Sequence, residues 1–299
     1  MATVAKIRIA GRLTAAAAWM PLACLPILVT VLGSGWHRWL FMWALAFSIY
    51  AGFKWLSFAD SSEGHRASAA GATAYLLLWP GMDARSFFES RRSVPVPKLS
   101  EWLLAAAKTA FGVGLLVVAV SITGRQPLVA AWMGLAGIAF VVHFGLFHVL
   151  SLAWRQGSVD ARPLMDAPIK ASSVADFWGR RWNTAFRDLA HAYVFRPLVG
   201  PCGTVGATLA VFIVSGLVHD LVISLPAGAG FGLPTAYFVL QGVALLFERS
   251  GLGKRLGLGA GLVGRLFSAA VTLAPIGLLF HRPFLERIIV PMLAALATI

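Results

Sequence analysis

The chain has 299 residues, of which 59% are hydrophobic and 12% charged, with a formal net charge of +13. A soluble domain of this size carries roughly 25% charged residues, so the composition argues against a water-soluble globule and for lipid as the main solvent. The basic residues lie in short segments between apolar runs rather than in a separate basic domain. That pattern argues against nucleic acid as a partner and suits cytoplasmic loops, membrane lipid or a phosphorylated substrate.

In chain order, Lys6, Arg8 and Arg12 precede an apolar run over 13–33. The run is long for a signal peptide and is followed at once by a second, over 36–58. These read as two membrane spans joined by a Gly-Ser-Gly turn, with the N-terminus in the cytoplasm. Residues 69–79 are apolar but too short to cross a core of about 30 Å, which predicts a re-entrant or interfacial helix buried in protein. Residues 82–101 form a polar connector with Arg85, Arg91, Arg92 and Lys98. Further spans are expected at 102–122, 128–154, 203–225, 235–247 and 266–280, with a short last one at 288–299. Placing the basic segments around 85–98, 155–196 and 249–265 on the cytoplasmic side leaves Arg125 alone in the opposite loops, and this asymmetry sets the orientation. The expected fold class is all-α, a polytopic membrane protein of about 7–9 transmembrane helices plus interfacial amphipathic and re-entrant helices, one domain over 1–299. The expected location is a bacterial inner membrane.

Cys24 and Cys202 are far apart and offer neither a disulfide framework nor zinc spacing. His143 and His148 are five apart, which argues against a metal pair on one helix face, so no metal and no cofactor are expected. Two stretches stand out from the scaffold. Ser173 with Asp176 three residues later matches a helix-starting capping box. Beyond it Trp178, Trp182, Phe186, Leu189 and Tyr193 recur at helical spacing, and Arg180, Asn183, Arg187 and His191 recur on another face. The pattern predicts one amphipathic helix from about Val174 to Tyr193 at the cytoplasmic interface. An interfacial anchor is the plainer reading of the same residues, with arginines reaching for headgroup phosphates.

The second stretch puts His219 and Asp220 inside an apolar span. Ionisable groups there cost roughly 2.5–3.5 kcal/mol at the bilayer centre, so they should face a cavity or a partner. Ser215, four residues earlier, shares a face with His219, and Asp220 points away toward a neighbouring helix. A structural hydrogen bond between helices is the plainer alternative for His219. A proton-coupled transporter would also use such a pair, although no internal repeat accompanies it.

Pro163-Leu-Met-Asp-Ala-Pro168, Asp176-Phe-Trp-Gly-Arg-Arg-Trp-Asn183 and Ser215-Gly-Leu-Val-His-Asp220 together resemble signatures of plant-type (jojoba-type) wax ester synthases in the membrane-bound O-acyltransferase superfamily. There the last segment reads Ser-Gly-Leu-Met-His-Glu; Asp220 keeps the acid. Arg196-Pro197, the run from Leu279 to Phe284 and Trp79-Pro-Gly-Met-Asp83 also look family-like, and the strong resemblance covers about residues 163–225. It implies a tunnel through the membrane, acyl-CoA as co-substrate and a lipophilic alcohol as acceptor, with fatty alcohol first and diacylglycerol, sterol-like or secondary-metabolite hydroxyls as alternatives. It also implies that His219 is the catalytic base and Asn183 its polar partner. Trp178, Arg180, Arg181, Trp182, Arg187, Ser215 and Asp220 are the candidate substrate-binding residues, the arginines because guanidinium binds phosphate bidentately.

Overall fold

The computed structural model describes residues 15–89 and 94–298. Lys6, Arg8 and Arg12, and Arg91 and Arg92 of the connector, lie outside the described residues. The described chain is all helical, with no strand. Among the described residues, six helices are long and apolar enough to cross a membrane. The first two run over Ala15–Leu32 and Arg38–Ala59 and are joined by a tight turn at Gly33–Gly35. Leu99–Ile122 follows, and Pro127–Gln156 runs back through a π-helical segment at Phe140–Leu146. Arg196–His219 and Gly261–Leu273 lie in the last two. Leu233–Arg249 has 17 residues and falls short of that length, as does Val290–Leu296 with 7. Ala69–Leu78 has ten residues, too few to span.

Burial separates scaffold from site. Only 11% of the first span is buried within the protein and 17% of Leu99–Ile122, against 44% of Arg38–Ala59. The first two present Leu, Val and Trp outward, as helices solvated by lipid do. Arg38–Ala59 lies inside, where it supplies one wall of the cavity described below.

The expected single amphipathic helix from Val174 to Tyr193 is not what forms. The capping serine is there: Ser173 Oγ accepts from Asp176 N–H at 3.0 Å and starts a short helix at Val174–Asp176. A π-helical turn at Phe177–Arg181 follows, Trp182 is extended, and Asn183 adopts a left-handed conformation with φ 43°. A new helix, Thr184–Ala190, then starts with Asn183 as its cap, Oδ1 accepting from Phe186 N–H at 3.2 Å. The break has a tertiary cause. The backbone at the break pairs with the Pro163–Pro168 segment: Asp166 N–H donates to Arg181 O at 2.9 Å and Thr184 N–H to Leu164 O at 3.0 Å. Met165 Sδ accepts from Asn183 N–H. An irregular backbone segment thus satisfies groups that a continuous helix would have used internally. Asparagine tolerates the left-handed region that most side chains avoid, and its amide caps the helix beyond.

Acids and amides from distant helices hold this segment. Glu248, buried near the end of Leu233–Arg249, accepts from the backbone N–H groups of Val174 and Ala175, the latter at 3.2 Å, completing the N-terminus of the short helix. Gln241 is fully buried; it donates to Val271 O at 2.8 Å and accepts from Trp178 Nε1–H at 3.2 Å.

Candidate active site

The helix Arg196–His219 carries the buried histidine. Its backbone breaks at Gly203, where φ is +65°, and becomes π-helical at Asp220–Ser224, directly after His219. π-Helical turns recur at functional positions because they change where side chains project. Gly216 lets Leu233–Arg249 come close: a Cβ there would lie 2.5 Å from Thr235 Cα. Asp220 locks the same contact. Its carboxylate accepts from the Thr235 hydroxyl, from Thr235 N–H at 3.2 Å, from Gly232 N–H at 2.8 Å and from Ser224 Oγ–H at 2.8 Å. Phe238, one turn beyond Thr235, then packs on the His219 ring at 4.4 Å between centroids.

The chain from Ser224 continues to His281. Phe284 N–H donates to His281 Nδ1 at 3.2 Å, so the ring proton sits on Nε2 and faces Ser224 Oγ at 3.3 Å. Burial holds His281 below the ordinary imidazole pKa, in keeping with a neutral structural link. His281 is thus a buried pin between Ser224 and the Phe284 backbone.

His219 itself is oriented by its own helix. Nδ1 lies 2.7 Å from Ser215 O. A carbonyl only accepts, so Nδ1 carries the proton and donates, which leaves the lone pair on Nε2. Nε2 has no hydrogen-bond partner among the described residues. The Ser215 hydroxyl donates back to Val211 O at 2.7 Å, so the main chain of Ser215, not its side chain, serves the histidine.

His219 opens onto a cavity of about 450 Å³. Asn183, Trp178, Trp182, Arg187 and Ser215 line it as well. Thus helices far apart in sequence bring His219 and Asn183 to one space. With Oδ1 of Asn183 engaged as the helix cap, its amide N–H pair is left without a partner among the described residues. Trp182 stacks on Phe177 at 5.5 Å, and Trp178 packs edge-on to Phe212. Arg187 donates to Asp188 and to Gly179 O.

Three expected site residues do not line this cavity. Asp220 is turned into the helix contact just described. Arg180 and Arg181 both donate to Asp176, at 2.9 and 2.7 Å. Asp176 is buried, which alone would raise its pKa, but hydrogen bonds from Arg181 and Ser172 N–H outweigh that and hold it below the usual carboxylate range. Conversely, Arg249 and His143 line the cavity although sequence reasoning passed over both. Arg249 stood in a basic loop with no pattern to single it out, and it has no carboxylate partner among the described residues. The five-residue spacing of His143 and His148 bears only on a metal pair and carries no signal of a cavity position.

Residues 161–240 match the model of the membrane bound O-acyl transferase family. The chain is 31% identical to a protein of Arabidopsis thaliana named "Probable long-chain-alcohol O-fatty-acyltransferase 1", over 52% of this chain and 47% of that one. It is 32% identical to "Long-chain-alcohol O-fatty-acyltransferase" of Simmondsia chinensis, over 30% and 28% of the two chains. It is also 32% identical to "Acyl-CoA--sterol O-acyltransferase 1" of Arabidopsis thaliana over 21% of each. The chain therefore spans less than half the length of each of these relatives. The matched segment contains Asn183, His219 and the contacts that orient them, and this multi-pass integral membrane protein carries in it the sequence pattern of the membrane bound O-acyl transferases.

Proposed function

We propose that the protein transfers an acyl group from a fatty acyl-CoA thioester to the hydroxyl of a lipophilic alcohol, first of all a long-chain fatty alcohol, giving a wax ester. One observation carries this reading: His219 has its Nδ1 proton committed to Ser215 O and presents an unpartnered Nε2 in a cavity shared with Asn183. In the reaction Nε2 takes the alcohol proton as the alcohol oxygen bonds to the thioester carbon. The carbonyl becomes an oxyanion, the C–S bond then breaks, and the coenzyme A thiolate recovers the proton from His219. General-base assistance is worth about 10²–10⁴ in rate. With its one ring proton held by Ser215 O, the neutral imidazole offers Nε2 as the acceptor that the role requires.

Asn183 is assigned as a donor to the oxyanion, since its amide oxygen is spent on the cap. The cavity's largely aromatic and aliphatic lining suits hydrocarbon chains. Arg187 and Arg249 are the cavity arginines and the first candidates for the coenzyme phosphates. Arg180 and Arg181 could reach phosphate only by sharing or leaving Asp176. Trp178 and Trp182 would flank the chains, and Ser215 and Asp220 act by holding His219 and its neighbouring helix. The reading places the N-terminus and the basic 249–265 loop on the cytoplasmic side of a bacterial inner membrane, where acyl-CoA is found.

The test is to incubate the purified protein with labelled palmitoyl-CoA and a panel of fatty alcohols, diacylglycerol and sterols, and to identify the ester by mass spectrometry. Wax ester formation is expected. Consumption of acyl-CoA with no ester, or an ester only of another acceptor, would overturn the reaction or the acceptor respectively.

A further inference from the structure

A second histidine reaches the same cavity in the opposite chemical state. His143 lies in the π-helical segment Phe140–Leu146 and lines the cavity together with His219 and Asn183. Its neighbour Phe144 packs edge-on against Trp182, the residue before Asn183, so this segment borders the Asn183 side of the cavity. Phe147 packs edge-on against the His143 ring at 5.3 Å. His143 Nδ1 is buried and has no hydrogen-bond partner among the described residues. Nε2 is the accessible ring nitrogen, and it too has no protein partner among the described residues.

A neutral imidazole must put its one proton on one of these nitrogens. Buried N–H groups without a partner are rarer and costlier than buried acceptors without one. The proton therefore belongs on Nε2, facing the cavity, with the lone pair left at the dry Nδ1. His219 is the reverse: its Nδ1–H is bonded to Ser215 O and its Nε2 is the acceptor. One cavity thus holds an acceptor imidazole and a donor imidazole.

We propose that His143 is a further catalytic residue whose Nε2–H donates a hydrogen bond to the carbonyl oxygen of the reacting acyl group, sharing with the Asn183 amide the charge that develops there. The inference rests on the acyl-transfer reading above. The proton balance is unchanged by it: His143 donates a hydrogen bond but gives up no proton, while His219 alone takes and returns the alcohol proton. A substrate oxygen supplies the acceptor that Nε2–H lacks within the protein, while Nδ1 stays dry and unpaired in either state.

The experiment has two arms on the full-length protein. His143→Phe keeps the ring volume and removes both nitrogens; His143→Gln retains a donor of similar reach. Removal of one such donor costs about 10²–10³ in kcat, so His143→Phe should lose about that factor, with KM for palmitoyl-CoA within about twofold. His143→Gln should recover at least tenfold of the loss, and the pH profile set by His219 should not move. Parent-like kcat in His143→Phe overturns the proposal, and so does an equal loss in both variants. The second arm is ¹⁵N NMR of histidine-labelled protein in lipid bilayers, with His143→Phe and His219→Phe assigning the signals. Nε2–H for His143 and Nδ1–H for His219 are expected, and Nδ1–H at His143 overturns the donor role even if acyl transfer is intact. A parent protein that makes no ester with any alcohol defeats the acyl-transfer reading and the role of His143 with it.

Discussion

Residues 176–181 and residue 183 with its distant partner 219 are equally polar in sequence, yet the fold treats them in opposite ways. In the first region every charge is answered locally. Asp176 is 3% exposed and accepts from Arg180, Arg181 and Ser172, and its own N–H is capped by Ser173. In the second region each side chain is half satisfied. Asn183 has spent its oxygen and kept its amide N–H groups; His219 has committed Nδ1 and kept Nε2. Fully paired groups build the frame, and groups with one hydrogen-bonding position deliberately unpaired can meet a substrate. The density of charge in a motif is therefore a poor guide to which of its members do chemistry.

The strongest way to break this comparison is at His219. His219→Ala should reduce ester formation by about 10³-fold or more, with the protein still recovered from the membrane in parental yield. Ester formation at the parent rate would remove the base assignment altogether. Next is Asn183→Asp, which keeps an oxygen for the Phe186 cap and tolerates the left-handed backbone, but exchanges the amide donor for a second acceptor. A drop in kcat of about 10²-fold with an unchanged melting temperature is expected. If the melting temperature falls and kcat per folded molecule does not, Asn183 is a cap and nothing more.

On the structural side, Asp176→Asn should leave chemistry alone and cost about 1–3 kcal/mol through the weakened bonds to Arg181 and Ser172. Arg180 is 74% exposed and adds little to that figure. The sign with pH follows from the depressed pKa of Asp176. Its stabilisation is present above the unfolded value of about 4 and is lost as pH falls through the lower folded one. Parent stability should thus fall on acidification more steeply than that of the variant, which thermal unfolding in detergent across pH 3–7 would read. The smallest effects separate the arginines. Arg249→Gln should raise KM for acyl-CoA roughly three- to tenfold, whereas Arg180→Gln should change it less than about twofold. The reverse order would move the phosphate site to the 176–181 turn.

Much of this was legible before folding was considered. Hydropathy alone marked five of the six long apolar helices with boundaries close to those observed, and the capping serine at 173 was readable as a local signal. The remaining one is expected from residue 203, but the chain is already helical from Thr184, and its backbone departs from helical geometry at Gly203 itself. The amphipathic helix to Tyr193 failed because periodicity assumes a continuous helix, and backbone bonds from the segment around Leu164 and Asp166 interrupt this one. Once the register breaks at Trp182 and Asn183, faces computed across the break no longer mean anything. That is why Arg180 and Arg187, seven residues apart, do not end on one surface facing one ligand.

The sequence by itself determined that the chain is helical and made for lipid, that His219 and Asn183 carry the family pattern, and that Asp220 turns away toward a neighbouring helix. These are properties of composition, local spacing and short motifs. Only the tertiary structure decided which hydrogen-bonding positions stay unpaired: Nε2 at His219, the amide at Asn183, and at His143 a dry Nδ1 beside an accessible Nε2. Openness is a matter of what other parts of the chain fail to supply. The carbonyl of Ser215, the backbone N–H of Phe186 and the dry packing around His143 Nδ1 set it, and spacing along the chain does not disclose which atoms they leave free.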